Sequence, residues 1–172
     1  NQDTKDNKKP AATTKTAAPK KTKARKPRPA SKKEPREDFE QRILDIARVT
    51  RVMAGGKRMR FRACVVIGDK NGKVAVGLAK GADVTLAVSK AVTVAKKNWV
   101  EVPVLHETIP HEITHKYGAA KVLLKPAGKG KGVIAGGVVR TIMDLAGVKN
   151  VTCKILGSNN KVNIARCTLD AL

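Results

Sequence analysis

The sequence predicts an α+β fold, two small units of strands and helices behind a disordered basic arm. Three observations carry that reading. Apolar residues alternate at period two in some stretches and return at helical spacing in others. Gly, Asn and Asp fall between those stretches, where turns are needed. Residues 1–38, by contrast, contain no Val, Ile, Leu, Met, Cys or aromatic residue. The segments are therefore 1–38, the arm; 39–100, a β-β-β-α unit; and 101–172, a unit that alternates strand and helix.

The arm holds thirteen Lys or Arg against five acids, and five of the eight prolines. It cannot bury enough apolar surface to offset its ordering entropy. A solvated tail and an arm that orders on RNA both fit this composition. Its first residue is Asn1 rather than Met, so a trimmed start is expected.

The folded part opens near Phe39. Residues 43–52 form a β-rich run interrupted by Arg48 and Arg51, ending at Gly55-Gly56. From 59 to 67 the odd positions, Met59, Phe61, Ala63, Val65 and Ile67, are apolar while Arg60 and Arg62 fall between them. That is a half-buried strand. Asp69-Lys70-Asn71-Gly72 reads as a hairpin turn with Asn-Gly at positive φ, and Val74, Val76 and Leu78 alternate along the return strand. Asp83 is placed to cap a helix whose face is Val84, Ala87, Val88, Ala91, Val92 and Ala95, continuing to Lys97. The 3.6-residue period outweighs the modest strand preference of its valines.

The second unit starts near Val100, where Val100, Val102 and Val104 alternate around Pro103, as an edge strand would. Residues 108–116 are extended and stop at Tyr117-Gly118. The stretch 121–147 then organises the unit. Val122-Leu123-Leu124 is a strand that breaks at Lys125-Pro126. A basic glycine loop follows, Gly128-Lys129-Gly130-Lys131-Gly132, and then a short apolar run, Val133-Ile134-Ala135. Gly136-Gly137 opens a helix with Val139, Ile142, Met143 and Ala146 on one face, and Gly147 sits where a left-handed cap is wanted. Residues 151–156 form a strand. Ser158-Asn159-Asn160 caps a last helix that buries Val162, Ala165, Leu169 and Leu172.

Net charge is +22, from 36 basic and 14 acidic residues, which points to nucleic acid before membrane or acidic protein. The only aromatics are Phe39, Phe61, Trp99 and Tyr117, too few for base stacking to be the main mode. Recognition of folded RNA by phosphate and shape fits better. Cys64, Cys153 and Cys167 are odd in number and form no C-x-x-C pair. They read as small buried hydrophobes in a reducing cytoplasm. No apolar run reaches spanning length, and no signal-peptide hydrophobic region opens the chain. Neither a cofactor, a metal nor a small-molecule substrate is expected.

Three candidate sites follow. Arg51, Lys57, Arg58, Arg60 and Arg62 surround Gly55-Gly56, as a surface for RNA phosphates or as a solvated face. The loop of Lys129 and Lys131 meets a polyanion or another protein's backbone, a flexible surface hairpin being the plain alternative. It is not a nucleotide cradle, because Val138 and Val139 follow Gly137 where Lys and Ser or Thr are required. His111-Glu112-Ile113-Thr114-His115 matches H-E-x-x-H. Pro110 before it and β-branched residues within it favour an extended chain, in which the histidines stand about 13 Å apart at ~3.3 Å per residue, too far for one zinc.

RVTRVMAGGKRMRFRACVVIGDKNGKVAVG, then TIPHE, KVLLKPA, GVIAGGVVRTIMDLAGVKNV and GSNN-x-VN-x-x-R-x-TLDAL resemble the family of the fifth protein of the bacterial small ribosomal subunit. The likeness runs from about Phe39 to Leu172. The arm lies outside it, and His115 departs from the family pattern. The resemblance implies an N-terminal domain like a double-stranded-RNA-binding domain and a C-terminal β-α-β-α domain with a left-handed crossover. It implies a non-catalytic constituent of the small subunit, in the cytoplasm, bound to 16S ribosomal RNA between body and head. The fourth and eighth small-subunit proteins would be its neighbours, with the third beside the channel by which messenger RNA enters. Contact with messenger would be transient, and decoding accuracy would depend on it. The implied RNA-binding residues are Arg51, Gly55, Gly56, Lys57, Arg58, Arg60, Arg62, Lys125, Lys129, Lys131, Asn159, Asn160 and Arg166. Gly130, Gly132 and Arg140 would face a protein neighbour. A free double-stranded-RNA-binding regulator is the alternative, and a zinc hydrolase using His111 and His115 the alternative of another class.

Overall fold

The computed structural model describes residues 39–172; the expected basic arm, 1–38, lies outside the described residues. Four antiparallel strands make the first sheet: β1 (Glu40–Met53), β2 (Gly56–Gly68), β3 (Lys73–Gly81) and β4 (Val100–Glu101), in that order. The edge strand expected near Val100 therefore belongs to this sheet, paired with β3 through Val74 and Val100. It is only two residues long, and Val102 just beyond it turns into the core.

Helix α1 (Val84–Ala95) covers one face of the first sheet. Its predicted stripe holds, with Ala87, Ala91 and Ala95 fully buried and the valines at the margins. Small residues are required because the backbones nearly touch. A Cβ on Gly77 would lie 2.0 Å from the Ala91 carbonyl oxygen. Asp83 takes the N-cap position, but its side chain accepts no capping hydrogen bond.

The β2–β3 turn differs from expectation. The left-handed residues are Lys70 (φ 60°) and Gly72 (φ 95°), not Asn71 and Gly72. Asp69 sets this geometry, because its Oδ1 accepts the amides of Asn71 (2.8 Å) and Lys73 (3.0 Å).

The second sheet has the order β5 (Ile113–Tyr117), β6 (Ala120–Pro126), β8 (Val151–Gly157), β7 (Val133–Ile134). All neighbours are antiparallel except β7 and β8, which are parallel and joined through α2 (Gly137–Ala146). Gly147 caps α2 at φ 84°, as its position predicts. Helix α3 (Lys161–Ala171) begins at Asn160, whose side chain accepts the Val162 amide. Its buried face differs from the one the spacing suggested, since Ile164, Cys167, Thr168 and Ala171 join Val162 and Ala165 while Leu169 and Leu172 are only half-buried.

Helices α2 and α3 lie between the two sheets. Val66 and Val74 of the first sheet share one core with Ile142, Met143 and Leu145 of α2 and with Val122, Leu124 and Val151 of the second. This corrects the half-buried reading of β2. Residues 63–68 are buried on both faces, one against α1 and the other against α2. Alternation fails there because a helix from the second half covers the face that period two assigns to water. At the seam, Lys70 and Gly72 donate backbone hydrogen bonds (both 3.0 Å) to the carbonyls of Leu145 and Ala146. A turn thus satisfies carbonyls that the end of α2 leaves unpaired.

Candidate nucleic-acid interface

Beyond the Phe61↔Gly81 rung β3 stops, and β1 and β2 continue alone to a two-residue turn at Ala54-Gly55. Five further residues at roughly 3.4 Å each carry this hairpin about 17 Å past the third strand. All of residues 50–60 are exposed. Gly55 makes the turn at φ 81°, and a side chain built on Gly55 or Gly56 would meet nothing within 4 Å, so the tip is bare.

The register divides the basic residues between two faces. Ala47↔Arg62, Val49↔Arg60 and Arg51↔Arg58 are direct partners, so Arg51, Arg58, Arg60 and Arg62 point one way. Lys57, opposite Val52, points the other, with Arg48 and Met59. Lys80, opposite Arg62, extends the arginine face, and a shallow groove lined by Arg51, Arg58, Arg60 and Lys80 runs along it. Like charges directly opposite each other destabilise a ladder. Arg51 facing Arg58 therefore costs the hairpin stability unless something anionic lies on it. No acidic residue occurs between Asp45 and Asp69.

Arg62 stands apart from its neighbours. Its Nη2 lies 3.6 Å from Asp45, which also holds Lys161 at 3.1 Å. This chain of charges ties β1 and β2 to the start of α3 and leaves Arg62 partly neutralised. Lys161 is a basic residue of this region that the sequence pattern does not single out. Met59, expected on the buried face, is 55% exposed, because α1 does not reach the hairpin tip.

The glycine loop is a second, separate place. Lys129 and Lys131 are exposed, while Lys125 is paired with Glu112 at 3.1 Å. The glycines have a use that their spacing did not reveal. Gly130 (φ 86°) and Gly132 (φ 71°) both donate their amides, at 3.1 Å each, to Oδ1 of Asn150, which is only 4% exposed. Their left-handed backbone turns those donors inward. Gly137 proves roomy, with nothing within 4 Å of a Cβ, whereas one on Gly136 would come within 2.6 Å of Ile155.

The remaining candidates fall on α2 and α3. Arg140 is exposed in the first turn of α2. Asn159 is exposed, but the side chain of Asn160 is committed to its cap. Arg166 donates to the Tyr117 hydroxyl (3.2 Å) and lies 6.0 Å from that ring's centre.

In the H-E-x-x-H segment, Ile113, Thr114 and His115 lie in β5, and Glu112 is engaged with Lys125. The helical register that would bring the histidines together does not occur. Among the described residues no three His, Cys, Asp or Glu side chains group as metal ligands. Cys64, Cys153 and Cys167 are free thiols within the core. Burial pushes Cys64 and Cys153 up to about 11.

Two family models match this chain. Ribosomal protein S5, N-terminal domain, covers residues 39–103, and Ribosomal protein S5, C-terminal domain, covers 115–172. Both halves of the fold are thus matched in order, with the basic hairpin inside the first and the glycine loop inside the second. The chain belongs to the ribosomal protein S5 family, structural RNA-binding components of the small ribosomal subunit that serve translation.

Proposed function

We propose that the chain binds 16S ribosomal RNA through the arginine face of the β1–β2 hairpin and so helps to hold the head of the small subunit relative to its body. The single observation that carries this reading is the uncompensated arginine row, Arg51 facing Arg58 with Arg60 two rungs inward on the same face. It stands on a projecting hairpin that has no acid of its own beyond Asp45. Phosphates would relieve the repulsion, and the bare glycine tip would let the backbone come close to a groove. Lys57, on the reverse face, would meet a different strand or none.

The loop of Lys129 and Lys131, held by Asn150, and the exposed Arg140 would face RNA and the fourth small-subunit protein. The eighth protein would be a further neighbour, and the third would share the channel by which messenger RNA enters. Through that channel the chain would touch messenger transiently and influence decoding accuracy, in the cytoplasm and without catalysing a reaction. The units that do this would be 39–100 and 101–172.

The test is binding to a 16S RNA fragment across a salt series. Changing Arg51, Arg58 and Arg60 to Gln should flatten log K against log salt by about 2 to 3 units, at roughly 0.7 to 0.9 for each phosphate no longer neutralised. Circular dichroism must show the variant folded. An unchanged slope would remove the hairpin from the interface. Recovery of the protein free of small subunits in sedimentation would favour a free RNA-binding regulator instead.

A further inference from the structure

Both helices of the second half pack on one face of the second sheet. That face carries Ala120, Val122 and Leu124, all fully buried. Among the described residues, no helix packs on the opposite face. The register shows what it presents. Lys116 of β5 lies directly opposite Lys121 of β6, and Lys121 is opposite Leu156 of β8. Two residues along, Leu123 is opposite Lys154, and Lys125 follows. All four lysines are exposed.

Lys125 is held by Glu112. Among the described residues, Lys116, Lys121 and Lys154 enter no ion pair. Directly opposed like charges destabilise a strand pair, and Lys121 has Lys154 as its diagonal neighbour as well. Three lysines around one point of the sheet constitute a field that a polyanion would satisfy.

We propose that this outer sheet face is a second RNA-phosphate surface, independent of the hairpin, formed by Lys116, Lys121 and Lys154. This inference rests on the RNA-binding reading above. An acidic protein is the weaker fit. Lysines act as point charges on long flexible stems, suited to tracking phosphates, and the small apolar area of Leu123 and Leu156 is divided among them. With two surfaces on different sheets, one rigid chain would bridge two separate RNA segments.

The experiment uses the full chain and protein-free 16S RNA. A variant with Lys116→Gln, Lys121→Gln and Lys154→Gln should flatten the salt dependence by about 2 to 3 units, while Lys→Arg at all three should restore it. In parallel, the wild-type protein is treated with an amine-reactive reagent, free and bound to the same RNA. Lys116, Lys121 and Lys154 should lose reactivity at least several-fold on RNA alone, so a misfolded variant would not block the answer. Full reactivity on RNA overturns the proposal, as does protection that appears only after another subunit protein is added. A flattened slope in the hairpin variant with no change in the lysine variant removes this surface alone. No change in either removes the RNA-binding reading too.

Discussion

Replacing Asn150 with Ala would leave the amides of Gly130 and Gly132 without the one oxygen they share. Water can reach that exposed loop, so the expected destabilisation is about 1 to 2 kcal/mol in urea unfolding, below the full cost of two orphaned donors. Gly147→Ala should cost more, about 3 kcal/mol. The residue is left-handed, and a Cβ there would lie 2.2 Å from the Lys70 carbonyl oxygen. The same denaturation assay checks both, and equal effects would contradict the ranking. The thiols give a pH dependence of definite sign. Burial raises Cys64 and Cys153 from 9.0 to about 11, so the folded chain holds those protons more tightly than the unfolded one. Stability is then kept below about pH 9 and declines as pH climbs toward about 11. A Cys64→Ala, Cys153→Ala variant should show a shallower alkaline decline in its urea midpoint.

At the scale of elements, the hairpin beyond Phe61 has, among the described residues, two strands and no helix against it, a unit that is marginal by itself in water. Amides of residues 51–60 should exchange with solvent far faster than those of 63–67, and RNA should slow them; fast exchange throughout β2 would contradict this. The H-E-x-x-H segment runs from a bend into β5, which begins at Ile113, and is nowhere helical, so His111→Gln with His115→Gln should leave the melting temperature unchanged within about 2 °C. Stoichiometric zinc that disappears with those changes would reverse that reading. The strands and helices are legible because turns and period announce them: Gly55, Gly147 and the Asn160 cap fall where expected, and so does the Asp69–Gly72 turn, although its left-handed residues are Lys70 and Gly72 and not Asn71 and Gly72. Face assignments were less so. Period two predicts which side of β2 is apolar, but not that α2 would arrive over Val66. Among the candidate residues, charge located the hairpin, yet charge carries no register. Lys57 separates from Arg58 and Arg60 only once Arg51 is seen opposite Arg58. Asn150 and Lys161 gave no signal, since one buried amide and one more lysine look ordinary in so basic a chain.

At the scale of the molecule, Val66 and Val74 complete their burial only against the second half, and the β2–β3 turn commits two amides to the end of α2. Residues 39–172 should therefore melt in one transition with coincident fluorescence and circular dichroism. Gly68→Val, whose Cβ would meet the Leu145 carbonyl at 2.3 Å, should lower it without splitting it. Two resolved transitions would show halves that are independent. The shared core also sets an order in time. A nascent chain emerges N-terminus first, so the first sheet is complete while Val66 and Val74 still lack α2. Until Gly137–Ala146 has been synthesised, that sheet carries a sticky face into a crowded cytosol, where a chaperone or a premature neighbour could occupy it.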